Sequence, residues 1–373
     1  MSTTPRKYGE LPWYHLLTML ASLAPLPLIL VWTALVTSHA SHNKGKSLRR
    51  ILGERTLRYA ARHTSVAQQQ FVFGTTVTTY KRWSKQMKLD PIVDELGEDA
   101  HLMWIGPKRT DRVLFLCHGG CYFLPVTDFL LAFWQYVQLE LKKQNVEIGI
   151  ALLSYSLAPM AKFPTPAKQA TLALQFLLDA GVQPGNLYLG GDSAGGNLLL
   201  QVVSNMLHPH TGVPQIRRTG GFRSLGLFSP WASFTTDTKS FQEFDGIDFL
   251  DRRILGAYGS ELLEGYSEGD RAFAEPAKAP QDWFEGVGEL VDHIFITAGE
   301  REVMHDDIVN VAQGLKKHHT NVELVVQEGG VHDDMFIDFF TREKKLSSLT
   351  PKVITWLATQ EAALTYGDQF YFL

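Results

Sequence analysis

Six apolar runs recur along the chain: "RVLFLCHGG" at 112–120, "EIGIALLSYSLAP" at 147–159, "NLYLGGDSAGG" at 186–196, "SLGLFSPW" at 224–231, "HIFITAGE" at 293–300 and "VELVVQEGG" at 322–330. They are apolar at consecutive rather than alternate positions, as strands buried on both faces must be. Between them lie "AKQATLALQFLLDAG", "GNLLLQVVSNML" and "DIVNVAQGLKKHH", each with apolar residues at helical spacing. Strands alternating with helices predict an α/β fold, with a mostly parallel sheet and helices on both faces. Two stretches break this rhythm. Residues 47–100 read as short helices and loops. About 235–290, rich in Phe, Trp, Tyr, Gly and acidic residues, reads as an insertion after the "SLGLFSPW" strand. Both are expected to cover the C-terminal edge of the sheet, where ligands bind in such folds. Within them Phe71, Trp83 and Trp283 are the aromatics expected to line an apolar pocket.

The N-terminus follows a different pattern. Leu16 to Val36, "LLTMLASLAPLPLILVWTALV", is 21 residues without a charge, long enough to cross a bilayer as a helix. Pro25 and Pro27 interrupt it, and "SHA" at 38–40 resembles a small-residue cleavage site. An uncleaved anchor, a cleaved signal and an apolar segment packed on the folded domain all fit. An apolar core longer than the 7–15 residues of a signal peptide favours the anchor. The expected division is therefore 1–40 as membrane segment and 41–373 as one catalytic-size domain, with cap elements at about 41–95 and 235–290. A single pass in the endoplasmic reticulum membrane is expected, with topology open: Arg6 and Lys7 precede the segment, and Lys44, Lys46, Arg49 and Arg50 follow it.

Composition narrows the function classes. The chain has 373 residues, 45% of them hydrophobic, and a formal net charge of −4, with no basic run to attract nucleic acid. Only two cysteines occur, Cys117 and Cys121, flanking one turn, which excludes a disulfide framework. No H-E-x-x-H or Cys-pair spacing is present, so neither metal nor cofactor is expected.

The candidate chemistry starts at Ser193, in Gly191-Asp192-Ser193-Ala194-Gly195 between an apolar run and a helical one. Alone, the pentapeptide fits a nucleophile on a sharp turn, a phosphate loop or a glycine corner. A phosphate loop needs G-x-x-x-x-G-K-[ST] or G-x-G-x-x-G at this junction, and neither is there. Strand-turn-helix is the context in which G-x-S-x-G presents a serine. "CHGGCYF" at 117–123 stands where a second loop would offer backbone N–H groups to an oxyanion. Glu302 in "TAGEREVMHDD" and His332 in "QEGGVHDD" follow the last two apolar runs, giving the order serine, acid, histidine. Asp306 and Asp307 compete with Glu302 for the acid's place. His305, His318 and His319 read as helix-surface residues, and His118 and Asp192 as structural groups that fix the two loops.

Together "HGGCYF", "YSLAPMAKFP", "GDSAGGNL", "SPW", "GEREVMHDD" and "VHD", spanning roughly 105–345, resemble the hormone-sensitive-lipase-type branch of the α/β-hydrolase fold, especially its fungal steryl acetyl hydrolase-like esterases. That resemblance implies an eight-stranded, mostly parallel sheet, a helical cap from the N-terminal region and an insertion after strand 6. It implies Ser193 as nucleophile, Glu302 as acid, His332 as base, and Gly119, Gly120 and Ala194 as oxyanion donors. The chain departs from the family at three places. Cys121 replaces a third glycine, and Ser156 and Met160 replace an arginine and its glutamate partner. Glu302 stands where aspartate is common. The expected activity is deacetylation of an apolar alcohol ester, such as that of a sterol, terpenoid or other secondary metabolite. The same triad also serves amidases, formamidases, lactonases, and acyl transferases or cyclases. Retention of all three groups argues against a non-catalytic binder.

Overall fold

The computed structural model describes residues 8–367 of the chain. All six apolar runs form strands of one sheet: β3 Val113–Cys117, β4 Gly149–Ser154, β5 Leu187–Asp192, β6 Ser224–Phe228, β7 Ile294–Gly299 and β8 Val322–Gln327. Two more strands precede them, β1 Ile92–Gly97 and β2 Ala100–Ile105, so that the order is β1-β2-β4-β3-β5-β6-β7-β8. From β4 to β8 every pairing is parallel, while β2 runs antiparallel to both its neighbours. The fold is the expected α/β-hydrolase architecture.

The β1–β2 hairpin corrects the reading of 47–100 as helix and loop throughout. Its turn passes through Glu98 and Asp99, both at positive φ (51° and 58°), the mirror-image conformation that matches strand twist. Asn-Gly or Asp-Gly would have announced such a turn; Glu-Asp does not. β1 is a half-exposed edge strand and lacks the apolar run that revealed the others. It begins at Ile92, inside the stretch 41–95 expected to be cap.

The sheet is covered on both faces. Helices Thr165–Asp179, Ala194–Leu207 and His305–His318 pack on one face, over a core that includes Leu102, Phe115, Leu189, Leu198, Leu227 and Ile296. Helices Asp128–Lys143 and Leu349–Gly367 cover the other, with Leu114, Trp134, Ile150, Tyr188, Phe228 and Trp356. The central strands are buried at every position, which is why their sequences show no alternation. Trp83, expected in a substrate pocket, lies in this second core beside Tyr80 and Met103, because helix Thr76–Gln86 packs on the sheet rather than over its edge.

Helix Leu48–His63 bridges to the far end of the chain. Its Arg50, 5% exposed, bonds Glu54 at 2.6 Å, Asp334 at 2.6 Å and Asp338 at 2.7 Å, the last two on helix Asp334–Thr341 directly after His332. Arg58 in the same helix donates to the carbonyls of Asp248 and Leu250 and pairs with Asp245 at 2.6 Å, so the 235–290 insertion is tied to it too. The insertion joins short helices by turns, with Lys239–Glu243, Arg252–Leu263 and Arg271–Ala274 as its α-helical parts.

At the sheet's centre the backbone of Gly195 passes so close to β3 that a Cβ there would lie 2.0 Å from the Cys117 carbonyl oxygen. Gly195→Ala must therefore push the helix after Ser193 off the sheet, and is expected to melt well below the wild type. Gly220→Ala, where a methyl group meets nothing within 4 Å, should leave Tm unchanged in the same circular dichroism scan. Arg50→Ala leaves buried Asp334 and Asp338 without their cation, while Glu54 keeps Lys46, and is expected to cost about 3–5 kcal/mol. Arg82→Ala, which breaks an exposed pair with Asp128, should cost under about 1 kcal/mol. Urea unfolding of the two variants checks the contrast.

Candidate active site

Ser193 occupies the turn between β5 and helix Ala194–Leu207 at φ 50°, ψ −117°, a backbone conformation costly for any residue but glycine, by about 1–3 kcal/mol. The neighbouring strand and the helix start hold it there. Its N–H donates to the Phe228 carbonyl (2.9 Å), and its own carbonyl accepts from Trp231 (2.9 Å) and Asn197 (3.1 Å). Glycine is required on both sides: a Cβ on Gly191 would sit 2.5 Å from the Gly195 carbonyl, and one on Gly196 2.8 Å from Pro230. The turn lifts Ser193 out of the strand at the C-terminal end of the sheet, where β3, β6, β7 and β8 also end.

From the end of β7, Glu302 reaches back under the turn and is fully buried. Its Oε2 accepts from the Gly299 N–H (2.8 Å) and the Ser229 hydroxyl (2.9 Å), and its Oε1 lies 2.6 Å from His332 Nδ1, past the end of β8. Asp306 and Asp307 do not reach this histidine. Asp306 Oδ2 accepts from the Ser240 N–H, and Asp307 is buried apart, its carboxyl pushed up to about 7 by burial. Burial works against a charged His332, yet Asp333 and Glu302 outweigh it and push the imidazole well above its ordinary value.

The "HGGC" loop differs from expectation at one donor. The Gly119 N–H donates to Asp192 Oδ2 at 2.9 Å and so is not available to an oxyanion. Among the described residues, the N–H groups of Gly120 and Cys121 have no backbone acceptor, and that of Ala194 opens the helix after Ser193. The loop's unspent donors are thus one residue further on than the glycine pair suggested. The shift depends on a side chain on a different strand, so the loop's own sequence carried no sign of it. His118 and Asp192 are structural, as expected. His118 Nδ1 donates to the Gly119 carbonyl (2.6 Å), which leaves Nε2 to accept from the Thr76 hydroxyl (3.1 Å). Burial lowers this imidazole to about 4, which keeps it neutral. Both cysteines are free thiols, and burial pushes Cys121 up to about 11.

Other expectations are redistributed. Gln169 replaces the missing ion pair at Ser156: its Oε1 accepts from the Ser156 N–H (2.7 Å) and its Nε2 donates to the Ser156 hydroxyl (2.7 Å), while Met160 is exposed. Trp283 is structural rather than pocket-lining, donating to Ser204 (2.9 Å) and stacking on His208. Phe71 is exposed. His319 is buried, not on the helix surface, with Nε2 against the Val291 carbonyl at 2.8 Å. The insertion brings groups that its sequence did not single out. Phe249 has its ring 5.9 Å from that of His332, and buried Asp248 accepts from the Val303 N–H at 3.0 Å, next to Glu302. A cavity of about 240 Å³ opens beside the loop, between Tyr8, Val66, Gln70, Phe123, Met160 and Glu261, and touches none of Ser193, Glu302 and His332. Those three are themselves almost fully covered. Among the described residues, no cluster of His, Cys, Asp and Glu has a metal-holding arrangement.

With this geometry established, the chain can be compared with known proteins. It is 27% identical over 223 residues, 59% of its own length and 67% of the relative's, to an acetyl-hydrolase of Streptomyces hygroscopicus. It is 27% identical over 166 residues to a bovine (Bos taurus) arylacetamide deacetylase, covering 42% of this chain and 39% of that one. Among solved structures, an esterase from the bacterial hormone-sensitive lipase family superposes with a TM-score of 0.63 at 20% identity, over 85% of this chain and 99% of that chain. An esterase soaked with p-nitrophenyl butyrate superposes at 0.62 and 21% identity, over 84% and 99%. Residues 114–336, from the first central strand to the helix after His332, match the family described as alpha/beta hydrolase fold. The chain belongs to that alpha/beta hydrolase family.

Proposed function

We propose that this protein is a serine esterase that removes a small acyl group, acetyl above all, from an apolar alcohol. The observation that carries this reading is the 2.6 Å contact between His332 Nδ1 and the fully buried Glu302, beside a serine on a strained strand-to-helix turn. A carboxylate on Nδ1 sets the tautomer that leaves Nε2 as the base, and it stabilises the imidazolium that forms. Ser193 Oγ attacks the ester carbonyl as its proton passes to His332 Nε2. The imidazolium then protonates the departing alcohol, and water repeats the sequence on the acyl-enzyme. The N–H groups of Gly120, Cys121 and Ala194 receive the oxyanion, aided by the positive end of the helix that starts at Ala194. The acetyl-hydrolase and deacetylase names of the relatives support the small acyl group.

The alcohol side rests on the N-terminus. Helices Trp13–Leu23 and Leu26–Leu35 together form an apolar 23-residue segment, long enough to cross a membrane, with Trp13, Leu17, Leu20, Leu28, Val31 and Trp32 exposed. Polar contacts hold its inner side to the cap: the Tyr59 hydroxyl donates to the Ser22 carbonyl (2.9 Å), and Gln68 Nε2 donates to the His15 carbonyl (2.8 Å). Such a segment anchors the domain where apolar esters partition.

A fluorophosphonate probe is expected to label the protein at Ser193. Ser193→Ala should abolish labelling and reduce turnover about 10⁴-fold or more. An unlabelled wild type beside a reactive control hydrolase refutes the esterase reading. With p-nitrophenyl esters of graded chain length, kcat/KM should be highest for acetate and fall as the acyl chain grows. A preference for long chains refutes the acetyl assignment and leaves the serine mechanism standing.

A further inference from the structure

His332 has a carboxylate on each ring nitrogen. Glu302 Oε1 stands 2.6 Å from Nδ1, and Asp333 Oδ2 stands 3.1 Å from Nε2, the nitrogen that must accept the serine proton. A carboxylate oxygen only accepts, so the hydrogen bond from Nδ1 to Glu302 and an ion-pairing carboxylate beside Nε2 together favour the ring that carries both protons, the imidazolium. If the proton sits on Asp333 instead, it still fills the Nε2 lone pair. Consistently, among the described residues Ser193 Oγ has no hydrogen bond to His332.

Asp333 is held in this place by its backbone. It adopts the left-handed conformation, φ 49° and ψ 36°, which aspartate tolerates better than most residues. Its N–H donates to the Ser229 hydroxyl (3.3 Å), the same hydroxyl that donates to Glu302 (2.9 Å). One serine thus fixes both acids that flank the imidazole. The second oxygen of Asp333, Oδ1, is buried with no partner. Among the described residues, His332 is the one cationic partner of this carboxylate.

We propose that Asp333 is a positioning residue that holds the base out of service, keeping a proton between itself and His332 Nε2 and occupying the place that Ser193 Oγ must take. The inference rests on His332 being the base of the reaction proposed above. When that proton leaves to bulk water, the carboxylate and the Nε2 lone pair repel. Nε2 is then free to turn to the Ser193 hydroxyl while Nδ1 stays on Glu302. Activity then rises with pH along a limb set by the Asp333–His332 pair rather than by a histidine with a single partner. The groups facing His332 agree in sign: Glu302 and Asp333 in contact, Asp248 from the insertion and Asp192 from β5 at longer range are all acids, and the Cys121 thiol is neutral. All four acids favour the protonated ring. Only Asp333 also blocks Nε2.

The test follows kcat/KM for p-nitrophenyl acetate, and the rate constant of fluorophosphonate labelling, against pH in the full-length protein. Asp333→Asn removes the charge, and Asp333→Gly removes the side chain at a left-handed position that glycine accepts. Both should move the acidic limb down by about one pH unit or more, so that labelling below the wild-type limb speeds up about tenfold. Asp333→Glu, which keeps the charge, should leave the limb high. An acidic limb that stays in place or moves up in both neutral variants overturns the proposal. So does loss of labelling at every pH in variants whose circular dichroism matches the wild type, which would make Asp333 part of the chemistry. Histidine itself supplies the separate control: His332→Asn that labels as fast as wild type removes His332 as the base, whatever the Asp333 variants do.

Discussion

Gly195 against the end of β3 is the constraint from which the site follows. Because no side chain stands between the helix start and the Cys117 carbonyl, the helix after Ser193 can begin directly on the sheet, and the chain must reverse within one residue to reach it. That reversal accounts for the positive φ of Ser193. It also aims the helix's first free N–H groups at the same point in space as the "HGGC" loop leaving β3. The remaining groups need only stand at the ends of strands already aligned in parallel: Ser229 after β6, Glu302 after β7 and His332 after β8. Hydrogen bonds of Ser229 to Glu302 and Asp333 then join the ends of β6, β7 and β8, while Asp192 at the end of β5 is bonded to Gly119 after β3.

Electrostatically this centre is one-sided. Four carboxylates, those of Asp192, Asp248, Glu302 and Asp333, surround a single imidazole in a region closed to water. Burial and mutual repulsion push Asp192 well above the usual carboxylate range and Asp248 up to about 7, while their combined field favours the protonated imidazole. The counterweight is Arg50 on the N-terminal helix. It sits behind the histidine loop and neutralises Asp334 and Asp338, the two acids that follow Asp333 in sequence. The helical cover is thereby a structural part of the site as well as a lid over it. Removing it would unpair the charges of Asp334 and Asp338 behind His332.

How far the chain could be read depended on how local the relevant physics is. The six central strands were legible because burial on both faces leaves an uninterrupted apolar run, and Ser193 because a sharp strand-to-helix turn needs glycines at fixed neighbours. Glu302 and His332 were found from the order of strand ends, which parallel topology converts into proximity. What was lost lay at edges and across gaps. β1 is half-exposed and turns through Glu98-Asp99, so neither its pattern nor its turn stood out. Trp83 and Trp283 carry the composition of pocket residues, but the packing of a helix sent the first into the core and the fold of a turn placed the second on His208.

The sequence by itself determined the architecture and pointed to the three residues proposed to react, because periodicity, glycine spacing and strand order act along the chain. Only the tertiary structure decided which of their atoms are free. The Gly119 N–H is taken by a carboxylate 73 residues away, and His332 Nε2 faces, at 3.1 Å, an aspartate that in sequence is merely the next residue. Both outcomes depend on side-chain direction at the meeting point of separate strands, and adjacency in the chain does not specify direction. At Asp333 it is a left-handed backbone, held by Ser229 from another strand, that turns a neighbour in sequence into a partner across the imidazole ring.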